Sequence, residues 1–222
     1  MSAHFHEDTR RRAVNYPPVI RFIGHFFSFV FHPLFIPAYL ALYLLYVDAY
    51  AYANASAQLK LFRFISVFFL TAFLPAFSIL LLKLLRFIDS ISLRTQKDRI
   101  IPYVICMTFY FWVWYVSKNL HESPAMIAML LGVFLSSIAG MMGNIYFKIS
   151  MHGLAAGSLF AFFVWLAFSG PAAIGAYLSL ATFISGLMLT ARFIVSNHDS
   201  RELYAGFIAG MLCQLLAVAI AG

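Results

Sequence analysis

The sequence predicts an all-α, polytopic transmembrane helical bundle of about six to seven spans. Of its 222 residues, 63% are hydrophobic and only 10% are charged, against roughly 45–50% and about 25% in soluble domains. The apolar residues come in runs long enough to cross a ~30 Å hydrocarbon core as helices. No alternation of period two runs through them, which favours helices over a barrel, because backbone polar groups in lipid must be satisfied internally.

The chain opens with a basic segment, residues 1–26, holding Arg10, Arg11, Arg12 and Arg21 with Pro17 and Pro18 ahead of an aromatic stretch. This pattern reads as a tail and short interfacial segment that anchors topology. It lacks a short apolar core followed by a small-residue cleavage site, so no secretory signal is expected. Spans are then expected at 27–47, 62–84, 101–117, 125–146, 154–169, 171–190 and 203–221, the third and fifth being short. With no internal repeat or low-complexity linker, residues 27–222 read as one domain. His32, beside Pro33 in the first span, is a polar group in lipid and therefore a functional candidate, a hydrogen bond within the bundle being its plainer role. The aromatic run at 109–117 reads as a headgroup-level belt. Gly153 with Gly157, and Gly206 with Gly210, are small-xxx-small pairs expected to let the spans after each histidine segment pack closely. Cys106 and Cys213 fall in apolar stretches as small hydrophobes.

Seven alternating spans put Arg10, Arg11, Arg12, Arg21, Lys83, Arg86, Arg94, Lys97, Arg99, Lys148, Arg192 and Arg201 on one face, leaving Lys60, Arg63 and Lys118 on the other. Such asymmetry identifies the crowded face as cytoplasmic. Basic groups beside apolar spans meet anionic lipid headgroups, so the net charge of +7 points to membrane lipids as partners and not to nucleic acid.

On that face three polar segments come together: residues 89–102, 147–153 and 192–202. They hold Asp89, Asp98, Asp199 and Glu202, half of the eight acids, and two of the seven histidines. Guanidinium forks and ammonium groups bind phosphate oxygens through charge-assisted hydrogen bonds, and phosphoryl transfer depends largely on such a clamp. Arg94, Lys97, Arg99 and Arg192 are the candidates for it. His198 and Glu202 stand four residues apart, so on a helix the carboxylate would hold one ring nitrogen and leave the other basic, as a positioned nucleophile requires. His152, beside Ser150 on another loop, is the candidate general acid.

The order of these pieces resembles the signatures of the type 2 phosphatidic acid phosphatase superfamily. The third signature, Ser-Arg, five residues, His, three residues, Asp, is similar to Ala191-Arg192, five residues, His198, three residues, Glu202. The second, Pro-Ser-Gly-His, resembles Ile149-Ser150-Met151-His152, and the first, Lys, six residues, Arg-Pro, is similar in part to the stretch ending Arg99-Ile100-Ile101-Pro102. The resemblance spans roughly residue 90 to the end, and the first ninety residues carry no part of it. It implies a metal-independent phosphohydrolase working through a phosphohistidine on His198, with Glu202 orienting that ring and His152 protonating the leaving group. Arg99, Arg192 and Ser150 would hold the phosphate, and the substrates would be lipid phosphates such as phosphatidic acid, phosphatidylglycerophosphate or an isoprenyl diphosphate. No cofactor is implied. The departures are Ser92 in place of the first-signature lysine, for which Arg94 or Lys97 would stand in, with Met151 for glycine, Ala191 for serine and Glu202 for aspartate.

Zinc-protease and paired Asp-rich magnesium motifs are missing from the sequence, so no metal site is expected. The expected setting is a bacterial inner membrane. A second class stays open: a catalytically silent phospholipid-binding or transport-associated membrane protein that keeps the basic pocket. Oligomeric state is left open.

Overall fold

The structure, a computed structural model, describes residues 16–48, 50–87, 96–169, 174–196 and 199–221, and of Gln96 and Lys97 the backbone alone. Its α-helices run in the order α1 Pro18–Val30, α2 Ile36–Leu42, α3 Ala57–Phe68, α4 Leu74–Leu84, α5 Gln96–Asn119, α6 Pro124–Tyr146, α7 Met151–Ser169, α8 Gly175–Val195 and α9 Ser200–Ala221. A π-type turn at Tyr43–Val47 extends α2, and another at Phe69–Phe73 joins α3 to α4 into one continuous helix, Ala57–Leu84. Among the described residues six helices are long and apolar enough to cross a membrane: Ala57–Leu84, Asp98–Asn119, α6, α7, α8 and α9. The chain is an all-α integral membrane protein, with no strand among the described residues.

The first expected span, 27–47, is not one helix. It breaks at Phe31–Phe35, and the expected boundary at residue 26 falls inside α1. Pro33 has no N–H to donate and disfavours helical backbone at His32, so the ladder stops there. The last carbonyls of α1, which a helix end leaves unpaired, find side chains instead: Tyr39 Oη donates to Val30 O at 2.9 Å, and His152 Nε2 reaches Ser28 O at 3.1 Å.

Most other spans begin a few residues earlier than their apolar runs. Ser56 Oγ accepts from Leu59 N–H to start α3, and Ser150 Oγ accepts from Gly153 N–H to start α7. These polar N-caps lie outside the apolar stretch that marks a span. The span expected at 171–190 lies instead at Gly175–Val195, which takes Arg192 into the last turn of α8. Inside the long helix, Pro75 cannot donate to Thr71 O; Tyr110 Oη from α5 donates to that carbonyl at 3.4 Å.

The bundle is centred on α7, which packs against α2, α6, α8 and α9. The α7–α9 contact is the closest, because a Cβ on Gly157 would stand 1.9 Å from Phe207 O and one on Gly210 would stand 2.0 Å from Leu154 O. The small-xxx-small pairs therefore bring the two backbones into contact, as expected of them. Hydroxyls bind the frame further: Ser136 meets Ser158 Oγ at 2.9 Å, Ser158 Oγ donates to Gly210 O, and Ser185 Oγ donates to Ala156 O. Phe162, Leu44, Met129, Leu130 and Met188 fill the core between them.

Candidate active site

The segments 147–153 and 192–202 meet at one end of the bundle. Ser150 N–H donates to Glu202 O at 3.2 Å, which docks the start of α7 onto the first turn of α9. Arg99, in the first turn of α5, is buried and donates from Nη1 to Ile149 O at 3.0 Å. Three helices thus point their N-termini toward this end, and the partial positive charge of each adds to that of the side chains.

Two candidate residues have local duties. Ser150 is fully buried and caps α7 through its hydroxyl oxygen. Glu202 is the third residue of α9, and its Oε2 accepts from Asp199 N–H at 3.1 Å, the returning half of a capping box. Since α9 starts at Ser200, the four-residue spacing of His198 and Glu202 does not fall within the helix as described. His198 and Arg94 lie outside the described residues, as does the side chain of Lys97.

Arg192 and His152 converge on one residue that the sequence reading missed. Arg192 Nη1 donates to Ser28 Oγ at 3.2 Å, while His152 Nε2 lies 3.2 Å from the same Oγ and 3.1 Å from Ser28 O. A carbonyl oxygen only accepts, so the contact with Ser28 O uses the tautomer protonated at Nε2; in the other tautomer the Ser28 hydroxyl donates to that nitrogen. That ring is 8% exposed and is held by α1, where the sequence led to an open general acid. Arg192 Nε is buried with no hydrogen-bond partner among the described residues.

His32 completes the cluster. Its ring stands edge-on to His152, with centroids 5.4 Å apart. Burial, helped by the Arg192 charge, pulls its pKa down from 6.5 to about 4, and the ring is neutral at pH 7. Lys148, on the loop before α7, also belongs here. Burial lowers its pKa, the Arg99 charge pushes the same way, Glu202 opposes it, and Arg192 adds a further lowering. All three of those charges are therefore within electrostatic reach of its ammonium group.

The structure thus brings together Arg99, Ser150, His152, Arg192 and Glu202 from the expected set, and adds Ser28, His32 and Lys148. Lys148 was readable, two positions before Ser150. Ser28 carried no signal, since it looks like any hydroxyl in an apolar stretch. Among the described residues no three His, Cys, Asp or Glu side chains come together as a metal-ligating group. What the cluster offers a ligand is positive charge and N–H and O–H donors, the complement of an anionic oxygen cluster.

Two cavities lie at the opposite end, around the Arg63 Nε to Glu122 Oε1 ion pair at 2.6 Å. Tyr52 Oη donates to the other carboxylate oxygen of Glu122. With Arg63 already neutralised, that end offers an anion far less than the cluster of Arg99, Lys148 and Arg192. Compared with known proteins, the chain matches no family model, no curated protein and no solved structure.

Proposed function

We propose that this protein is a membrane-embedded lipid phosphatase related to the type 2 phosphatidic acid phosphatases. It would hydrolyse a phosphomonoester or diphosphate of a lipid without a metal ion. The observation that carries this reading is the convergence of Arg99, Lys148 and Arg192 with His152 at one end of the bundle. Cations gathered in a low-dielectric setting, with one donor left unpaired, suit a phosphate whose charge grows as the leaving oxygen departs.

In this mechanism a ring nitrogen of His198 attacks phosphorus, and the bond from phosphorus to the lipid oxygen breaks. The leaving oxygen takes a proton from His152. Water then attacks the phosphohistidine, giving its proton to His152, and the phosphorus–nitrogen bond breaks to release inorganic phosphate and restore both rings. Arg99, Arg192 and Lys148 hold the phosphate oxygens, with Arg94 and Lys97 as further candidates on the neighbouring segment. Glu202 orients His198, and Ser150 keeps the start of α7 in place. The charge distribution supports a site on the cytoplasmic face of a bacterial inner membrane.

One observation favours a second reading, a phospholipid-binding protein without turnover: His152 Nε2 is already engaged by Ser28, through its carbonyl oxygen and its hydroxyl. The two readings separate in one experiment. Purified protein in detergent with EDTA is expected to release phosphate from phosphatidic acid, phosphatidylglycerophosphate or an isoprenyl diphosphate, and His198→Ala to abolish release. Tight binding of phosphatidic acid with no release would establish the silent protein instead.

A further inference from the structure

We infer that His32, in the break between α1 and α2, is a substrate-binding residue of this site: its Nε2–H donates to a phosphate oxygen of the ligand. This rests on the phosphate reading above and draws into the site a segment from outside the stretch that resembles the phosphatases.

The break itself accounts for one ring nitrogen. Pro33 stops the α1 ladder, so the N–H groups around it need other acceptors. Phe31 N–H donates to Phe27 O, His32 N–H to Phe29 O and Phe35 N–H to His32 O. Leu34 N–H donates to His32 Nδ1, at 3.4 Å. A backbone N–H only donates, so this contact uses the tautomer of His32 with Nδ1 bare and the proton on Nε2. The two nitrogens face different ways around the ring. With Nδ1 turned to its own backbone, Nε2–H is aimed away from it.

That second donor meets no hydrogen-bond acceptor among the described residues. The groups that other helices bring to the ring belong to the site: His152, from the start of α7, stands edge-on with centroids 5.4 Å apart, and Arg192, from the last turn of α8, lies within electrostatic reach. Ser28, four positions before His32, is in hydrogen-bond contact with both. His32 is partly buried in an apolar segment, where a donor left unmade is costly. A phosphate drawn in by Arg99, Lys148 and Arg192 supplies the acceptor. Because the ring is neutral at pH 7, it adds a donor without a fourth positive charge, and a neutral imidazole can stabilise a developing oxyanion in this way.

The fold fixes the ring from both sides. Gly24 lets α1 lie against α8, since a Cβ there would stand 2.6 Å from a methyl group of Val195. On the other side of the break α2 and the turn after it bury Ile36, Leu40, Leu44 and Leu45 in the core. Segment 31–35 is therefore pinned at both ends, and the donor is in place before the ligand arrives.

The test uses the full-length protein with phosphatidic acid in mixed micelles, and orthovanadate and inorganic phosphate as probes. In His32→Asn the amide oxygen can still accept from Leu34 N–H, but no nitrogen reaches the Nε2 position. This variant is expected to raise the inhibition constant for orthovanadate and the KM for phosphatidic acid about tenfold, the scale of one hydrogen bond to a charged group. His32→Gln, whose amide nitrogen extends to the Nε2 position, is expected to recover most of that loss. If His32→Asn does not fold, His32→Phe, which fills the space of the ring without a donor, is scored in its place. Unchanged or tighter orthovanadate inhibition in folded His32→Asn or His32→Phe overturns the inference, reduces His32 to a cap for the break, and leaves the phosphatase reading in place. If the wild type releases no phosphate, retention of inorganic phosphate in equilibrium dialysis scores the same variants. A wild type that neither releases nor binds phosphate overturns the phosphate reading itself and this inference with it.

Discussion

Ser28 and His152 are 124 positions apart in the chain and in contact in the fold, with His152 Nε2 at 3.1 Å from Ser28 O and 3.2 Å from its hydroxyl. The bond does two jobs. In the tautomer protonated at Nε2 it satisfies a carbonyl that the end of α1 would otherwise leave open, and in either tautomer it holds the His152 ring against α1. The break between α1 and α2, imposed by Pro33, thereby becomes part of the geometry around the candidate acid.

Arg192 is the cation whose replacement is expected to cost most. Arg192→Ala removes the donor to Ser28 and the unpaired Nε together, and kcat/KM for phosphatidic acid should fall by about 10²-fold or more, the scale of losing one preorganised donor. Arg192→Lys should recover little of this, because an ammonium group cannot reproduce the fork. Steady-state kinetics on the three proteins checks it; full activity in Arg192→Lys would mean that charge alone suffices.

Acid should destabilise the protein through His32. Its folded pKa of about 4 lies below the unfolded 6.5, so the folded state binds the proton less readily. The contribution is fully present above pH 6.5 and is lost as pH falls toward 4, to a total of up to about 3 kcal/mol. Thermal midpoints measured between pH 7 and pH 4 should fall less steeply in His32→Asn than in the wild type. Parallel profiles would place the acid response elsewhere.

How much of this was readable from residue order depends on the kind of signal. The spanning helices were legible because membrane length and apolar runs set them, and the meeting of Arg99, Ser150, His152, Arg192 and Glu202 at one end follows from alternation alone. The starts of the helices were not, since Ser56 and Ser150 cap them from outside the apolar run. Glu202 reads as a partner for His198 by spacing, but that spacing holds on a helix only if both residues are in it, and α9 begins between them. Ser28 could not be read at all. Its role arises where α1 crosses α8, and a contact between such distant segments leaves no mark in either one.

The α7–α9 seam should tolerate no side chain. A Cβ on Gly157 would meet the Phe207 carbonyl at 1.9 Å, backbone that cannot rotate away. Gly157→Ala is expected to destabilise the bundle by roughly 1–3 kcal/mol, and because this seam also docks the start of α7 onto the first turn of α9 through Ser150 N–H and Glu202 O, activity should fall with it. Thermal unfolding in detergent measures the first effect. An unchanged midpoint would show that the two helices can separate without consequence.

The most direct measurement is to trap the phosphorylated protein. Protein incubated with ³²P-labelled phosphatidic acid in EDTA and quenched with alkali is predicted to carry label that is stable to base, labile to acid, and lost in His198→Ala. Unlabelled wild-type protein that still releases phosphate, or label and turnover that survive in His198→Ala, would contradict the account.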